Sequence, residues 1–168
     1  MAVKFYRMTP AEKKECYRLG AERHHDARAR NAEHRVPDTE IIADLEGYCS
    51  EYAFLKLFPD AVKAKEKKDH DNVWQGYRND VKGKTKPRPI RDSLLFINLS
   101  YQTNEVDIFT FIPPIDDDGL VYAWCGWISK NDVFNGGFPR MFEGKKECHA
   151  ISPGALHTVE PSELLFSR

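Results

Sequence analysis

Paired cysteines are missing from this 168-residue chain. Cys16, Cys49, Cys125 and Cys148 are widely scattered and no two form a CxxC. A zinc site or disulfide framework is therefore poorly supported, and reduced thiols are the simplest expectation. Long apolar runs are also missing. The N-terminal MAVKFYRMTP has no signal-peptide core, and no segment approaches the length of a membrane span. The sequence thus predicts a cytoplasmic protein with no membrane partner. It holds no internal repeat and no low-complexity stretch. The net charge of −1 selects no partner by itself, but the charge is unevenly spread. No Lys or Arg occurs from Asp92 to Ser129, whereas residues 61–91 carry ten against four acids, an excess of six positive charges. Such a zone suits a polyanion such as nucleic acid; the alternative is a solvated lysine-rich surface.

What is present is ordinary in bulk: 41% hydrophobic and 30% charged residues, enough for one domain (1–168) with a real core. Thr9-Pro10-Ala11-Glu12 predicts a capping box and a helix to about Ala32, largely exposed, with solvated His24, His25 and His34. Asp38 or Thr39 caps a second helix running to Phe58, whose Ile41, Ile42, Leu45, Tyr48, Cys49, Tyr52 and Leu55 form an apolar stripe. Glu51 lies off that stripe, beside Phe54 and Phe58, where a charge needs a metal or a lysine as partner. Gly47, one turn earlier, leaves room for one. Three apolar runs, Ser93–Leu99, Val106–Ile112 and Leu120–Ile128, predict strands buried on both faces, with Trp124 and Trp127 in the core. Asp116-Asp117-Asp118-Gly119 reads as a polar hairpin tip and Ser129 as a helix cap. Residues 136–161 read as irregular. This order predicts an α/β or α+β sheet flanked by helices.

HDNVWQGYRNDVKGKT, His70 to Thr85, reads as a hairpin turning at Gln75-Gly76. A two-residue loop pairs Trp74 with Tyr77, Val73 with Arg78, Asn72 with Asn79 and Asp71 with Asp80. Alternation puts Asp80 and Lys82 on one face. Two carboxylates about 5 Å apart repel unless a cation lies between them, and a divalent ion with oxygen ligands would remove the conflict. Asp69, two residues earlier on the same face, is the alternative first acid. Trp74 and Tyr77 read as a cross-strand packing pair, with base stacking the minor option.

A helical Glu51, then Asp71, then Asp80-Val81-Lys82 resembles the PD-(D/E)XK nuclease superfamily. DLEGYCSEYAFLKLF looks like the acidic helix of its phage-type members, DNVWQGYRNDVKGKT like their hairpin, and VDIFTFIPP with YAWCGWISKNDVF like their later strands. The likeness spans about Asp44 to Phe134, leaving residues 1–35 as an N-terminal helical extension. His70 stands where proline is usual, and Asp80 where Glu is commoner. The resemblance implies a restriction-endonuclease-like mixed central sheet flanked by helices. It implies a metal-dependent DNA endonuclease with Glu51, Asp71, Asp80 and Lys82 as catalytic residues. Mg²⁺ or Mn²⁺ would be held by Asp71, Asp80, the Val81 carbonyl and Glu51, while Lys84, Lys86, Arg88 and Arg91 would grip the nucleic-acid backbone. The expected partner is DNA, with RNA the alternative, and both monomer and homodimer stay open. A catalytically silent nuclease-like module that binds nucleic acid or protein is the competing expectation.

Overall fold

The capping box forms as the sequence predicts. In the computed structural model, which describes residues 3–30, 41–65 and 70–166, Thr9 Oγ1 accepts from the Glu12 N–H (3.1 Å) and Glu12 Oε1 from the Thr9 N–H (3.0 Å). They open α1 (Pro10–Arg30), which packs on α2 (Ile41–Leu57). The short helices α3 (Lys130–Asn135) and α4 (Pro161–Phe166) follow later in the chain. His34, Asp69 and the expected Asp38 or Thr39 cap lie outside the described residues.

Among the described residues, ten short strands make three sheets. They are β1 (Lys4–Arg7), β2 (Val62–Lys63), β3 (Asn72–Trp74), β4 (Tyr77–Lys82), β5 (Leu95–Asn98), β6 (Ile108–Phe111), β7 (Val121–Trp124), β8 (Gly126–Ser129), β9 (Arg140–Glu143) and β10 (Lys146–Ile151). The main sheet runs β2-β3-β4-β6-β8, antiparallel except for the parallel β4–β6 pair. A second sheet runs β5-β10-β9, and β1 pairs with β7. The architecture is mixed α+β.

Two cores flank the main sheet. On the α2 side, Phe54, Phe58, Trp74 and Trp124 interlock, Trp74 lying 4.6 Å from Phe58 and 5.1 Å edge-to-face from Phe54 between ring centroids. Trp74 is wholly buried and takes the packing role. On the other side, Phe109, Phe111 and Ile128 meet Leu95, Ile97 and Ile151 of the second sheet.

Several expectations are corrected. The first helix is exposed along much of its length, but Cys16 and His24 are buried, and His24 Nδ1 contacts Asp44 Oδ2 rather than solvent. Gly20 permits the close helix packing responsible, since a Cβ there would lie 3.2 Å from Leu45 Cα. Residues 1–35 also hold a strand, β1, tied to β7 with Phe5 opposite Ala123. The buried face of α2 is rotated toward Leu45, Glu46, Cys49, Ser50, Ala53 and Phe54, leaving Ile42 45% exposed, because α1 and the sheet compete for its surface. Run 120–128 is two strands in different sheets. It breaks at Gly126 (φ +121°), where a Cβ would meet the His157 carbonyl oxygen at 2.4 Å. Of the three runs, β6 is buried throughout, but β5 alternates and covers one face only. Residues 136–161 are not irregular: they contain the β9–β10 hairpin, whose place depends on pairing with distant β5.

The Asp116 tip and the Ser129 cap form as expected. Asp116 Oδ1 accepts from the Leu120 and Val121 N–H groups, and Ser129 Oγ from the Asp132 N–H. Among the described residues, no helix is long and apolar enough to cross a membrane.

Candidate active site

Gln75 (φ +51°) and Gly76 (φ +86°) both take the left-handed conformation of a two-residue hairpin turn. Gln75 braces the turn by donating to Glu160 and accepting from the Ser162 N–H, each at 2.9 Å. The ladder pairs Trp74 with Tyr77, Val73 with Arg78 and Asn72 with Asn79, in the register the loop length dictates. It stops there. The Asp71 N–H reaches the Asn79 carbonyl (2.9 Å), the residue already opposite Asn72, so the strand bulges before an Asp71–Asp80 rung can form. The Asp71 carboxylate instead accepts from the Val81 N–H (2.7 Å). On the other face of β4, Asn79 bonds Asn72 and Thr110, locking three strands in line.

Glu51, Asp71, Asp80, Val81 and Lys82 all line one cleft of about 680 Å³. It opens between α2 and the second sheet. Gly83 lets β4 pass tightly beneath α2, for a Cβ there would sit 2.1 Å from Ser50 Oγ. Lys82 Nζ lies 2.6 Å from Asp80 Oδ2 and donates to the Tyr101 hydroxyl at 2.5 Å. The Lys82–Asp80 contact is close, yet Asp80 Oδ2 is buried without a hydrogen-bond partner, so this ion pair rests on charge and not on good angles. Burial works against the charge on Lys82, but Asp80 and Tyr101 outweigh it and its pKa is raised. Lys82 is thus a firm ammonium, suited to donating and to neutralising charge, and unsuited to taking a proton.

The acids are uncomfortable. Burial, then Glu51 and Asp80, push the pKa of Asp71 well above its usual range. Burial also raises Asp80, although Lys82 opposes the shift. Glu51 is held by Arg23 through two 2.9 Å bonds, Nη1 to Oε2 and Nη2 to Oε1. Its partner is therefore an arginine from α1, where a metal or lysine was expected. Gly47 leaves open space on that side, as its smallness suggested.

Matching this chain against family models, curated proteins and solved structures finds no counterpart. The chemistry of the cleft rests on its own geometry. Its donors are carboxylate oxygens, which suit a hard divalent cation, and Asp80 Oδ2, with the Lys82 charge beside it but no well-angled hydrogen bond, is an atom such an ion would satisfy. As the side chains stand, however, no group of three or more His, Cys, Asp or Glu among the described residues is arranged to hold a metal. Arg23 engages Glu51, whereas Asp71 accepts from the Val81 N–H and Asp80 faces the Lys82 ammonium. Two carboxylates completed by water and phosphate are a usual Mg²⁺ set.

Lys84, Lys86 and Arg88 line the cleft beside the acids. Lys84 sits 3.9 Å over the Phe96 ring, and burial lowers its pKa. Arg91 does not join them: its side chain is 87% exposed and lies 3.8 Å from Asp92. It belongs to the 3₁₀ turn Ile90–Asp92, whose Asp92 does line the cleft. Arg23, Tyr101 and Lys146 are cleft residues that the sequence did not mark. Arg23 is one of many charges on α1, and Lys146 lies in a stretch read as irregular. No local signal distinguishes Tyr101.

Proposed function

We propose that the protein is a metal-dependent endonuclease that hydrolyses phosphodiester bonds of DNA in the cytoplasm. The single observation that carries this is the meeting of Asp71, Asp80 and a firmly charged Lys82 in one cleft whose rim bears Lys84, Lys86 and Arg88. The fold is consistent with the restriction-endonuclease-like plan. An acidic helix α2 precedes the β3–β4 hairpin and packs on one face of the main sheet, and β4 runs parallel to β6.

Asp71, Asp80 and the Val81 carbonyl would hold Mg²⁺ or Mn²⁺, with Glu51 joining once released from Arg23. The ion, when bound, supplies a water of lowered pKa and a counter-charge to the phosphate. Lys82 orients that water and donates to the phosphoryl oxygens as negative charge builds there. Tyr101 holds the Lys82 ammonium in place through its hydroxyl, with the ring 4.0 Å from Nζ. Lys84, Lys86 and Arg88 grip the backbone without selecting bases.

Incubating plasmid with the protein in Mg²⁺ or Mn²⁺, with EDTA and Lys82→Ala as controls, tests the proposal. Nicking that both controls abolish supports it; intact plasmid at every protein concentration rejects it. A second reading, a silent nuclease-like module that binds nucleic acid, draws on the Arg23–Glu51 clamp and the lack of a ready three-acid group. DNA that is retarded in a gel but uncut would favour that module.

A further inference from the structure

Arg23 lies on α1, outside the segment that carries the nuclease likeness, yet its guanidinium occupies both oxygens of Glu51 and lines the cleft. The geometry points to Arg23 as a built-in counter-ion that competes with divalent metal for Glu51 and transfers to a DNA phosphate when substrate enters. This inference rests on the endonuclease reading and names a substrate-binding residue for the same site.

Three observations support it. First, Arg23 takes one lone pair of each Glu51 oxygen and places a positive charge there, so clamp and metal compete for this carboxylate. Second, the two partners differ in exposure: the Glu51 side chain is 15% exposed on a helix face, whereas that of Arg23 is 45% exposed. The arginine is the partner nearer solvent, its guanidinium also stacked on Tyr48, 5.2 Å from the ring centroid. Third, a guanidinium fork fits a phosphate as well as it fits a carboxylate. Its exchange from one to the other preserves two charge-assisted bonds, and Glu51 is released at the moment a polyanion arrives. Metal recruitment at the third acid would thereby be coupled to substrate, since metal and phosphate both favour the unclamped state.

The test compares wild type, Arg23→Met and Arg23→Lys on two binding readouts. Calorimetric titration with Mn²⁺ alone, without DNA, should show Arg23→Met binding roughly tenfold more tightly, the size of a lost charge-assisted competitor. Arg23→Lys should fall between, because a single ammonium cannot cover both oxygens. Anisotropy of a labelled duplex in EDTA should show weaker binding by Arg23→Met, with the log–log salt slope reduced by about 0.9 for one lost phosphate contact. Arg23→Lys keeps the cation and serves should Arg23→Met fail to fold. Equal or weaker Mn²⁺ binding by Arg23→Met, or an unchanged salt slope, overturns the inference while leaving the endonuclease reading intact. Absence of Mn²⁺ binding by wild type and both variants overturns the endonuclease reading with it.

Discussion

Glu46 and Asp80 are equally buried, each 6% exposed, and the fold treats them in opposite ways. Glu46 is fully served: Lys13 Nζ lies at 2.8 Å, the Tyr122 hydroxyl donates at 2.8 Å, and the Tyr17 hydroxyl adds a third bond. Lys13 is in turn satisfied by the Gly119 carbonyl at 2.9 Å. Asp80 has one cation nearby, an oxygen without a well-angled hydrogen bond, and Asp71 and Glu51 among the other acids that line the same cleft. Glu46 joins α1, α2 and β7 in a closed network that wants nothing more. Asp80 sits in an open network with negative charge to spare. A buried group left short of partners is where a fold has given up stability, and such places coincide with function.

Breaking the closed network should have the largest effect. Glu46→Ala leaves Lys13 paired only with neutral groups and should cost about 3–5 kcal/mol, seen as a lowered urea midpoint. A loss below about 1 kcal/mol would mean the two acids are not so different.

The open network should respond to what is added. At a hundredfold excess of Mg²⁺ over its dissociation constant, wild type should gain about 2.7 kcal/mol of stability. Asp80→Asn should gain none, and Glu46→Ala should gain as much as wild type. Asp80→Ala is a poorer probe, because it strands the Lys82 ammonium. An unmoved melting curve for wild type at millimolar Mg²⁺ would count against the metal.

Asp71→Asn sharpens the comparison at smaller scale. Its raised folded pKa means that the stability it contributes is fully present below the unfolded value, about 3.9, and is lost as pH rises through the folded value. In EDTA, Asp71→Asn should therefore melt higher than wild type above neutrality, with a flatter pH profile, since Asn can still accept from the Val81 N–H. A variant that melts lower at every pH would remove the repulsion from the account.

Glu12 should give the smallest effect, with the opposite sign. Hydrogen bonds from Tyr52, Tyr6 and the Thr9 N–H lower its pKa to about 2. Its contribution is present above its unfolded value, about 4.3, and is lost as pH falls toward 2. Glu12→Gln should lower stability slightly in the neutral region and converge with wild type as pH falls toward 2, giving a shallower acid side, as followed by circular dichroism.

Local signals were legible where a few neighbouring residues settle the outcome. Thr9 and Glu12 cap α1, Gln75-Gly76 sets three rungs of the hairpin, and alternation puts Asp80 beside Lys82. The Asp71 bulge was not legible, because it depends on the Val81 N–H offering a better partner than the ladder continues to give. Nor was β10, whose KECHAI carries little apolar alternation and is a strand through its pairing with β5. That Arg91 stands outside the cleft lining was not legible either, since charge in a loop says nothing of direction.

By itself, the order of residues determined the acidic helix, the turn and the face shared by Asp80 and Lys82, for these follow from helical and strand periodicity over a few residues. Only the tertiary structure decided that Arg23, 28 positions before Glu51, would hold that carboxylate, and that Tyr101 and Lys146 would line the same cleft. Ion pairs between distant segments depend on how helices and sheets dock, and docking is set by the summed burial of both cores.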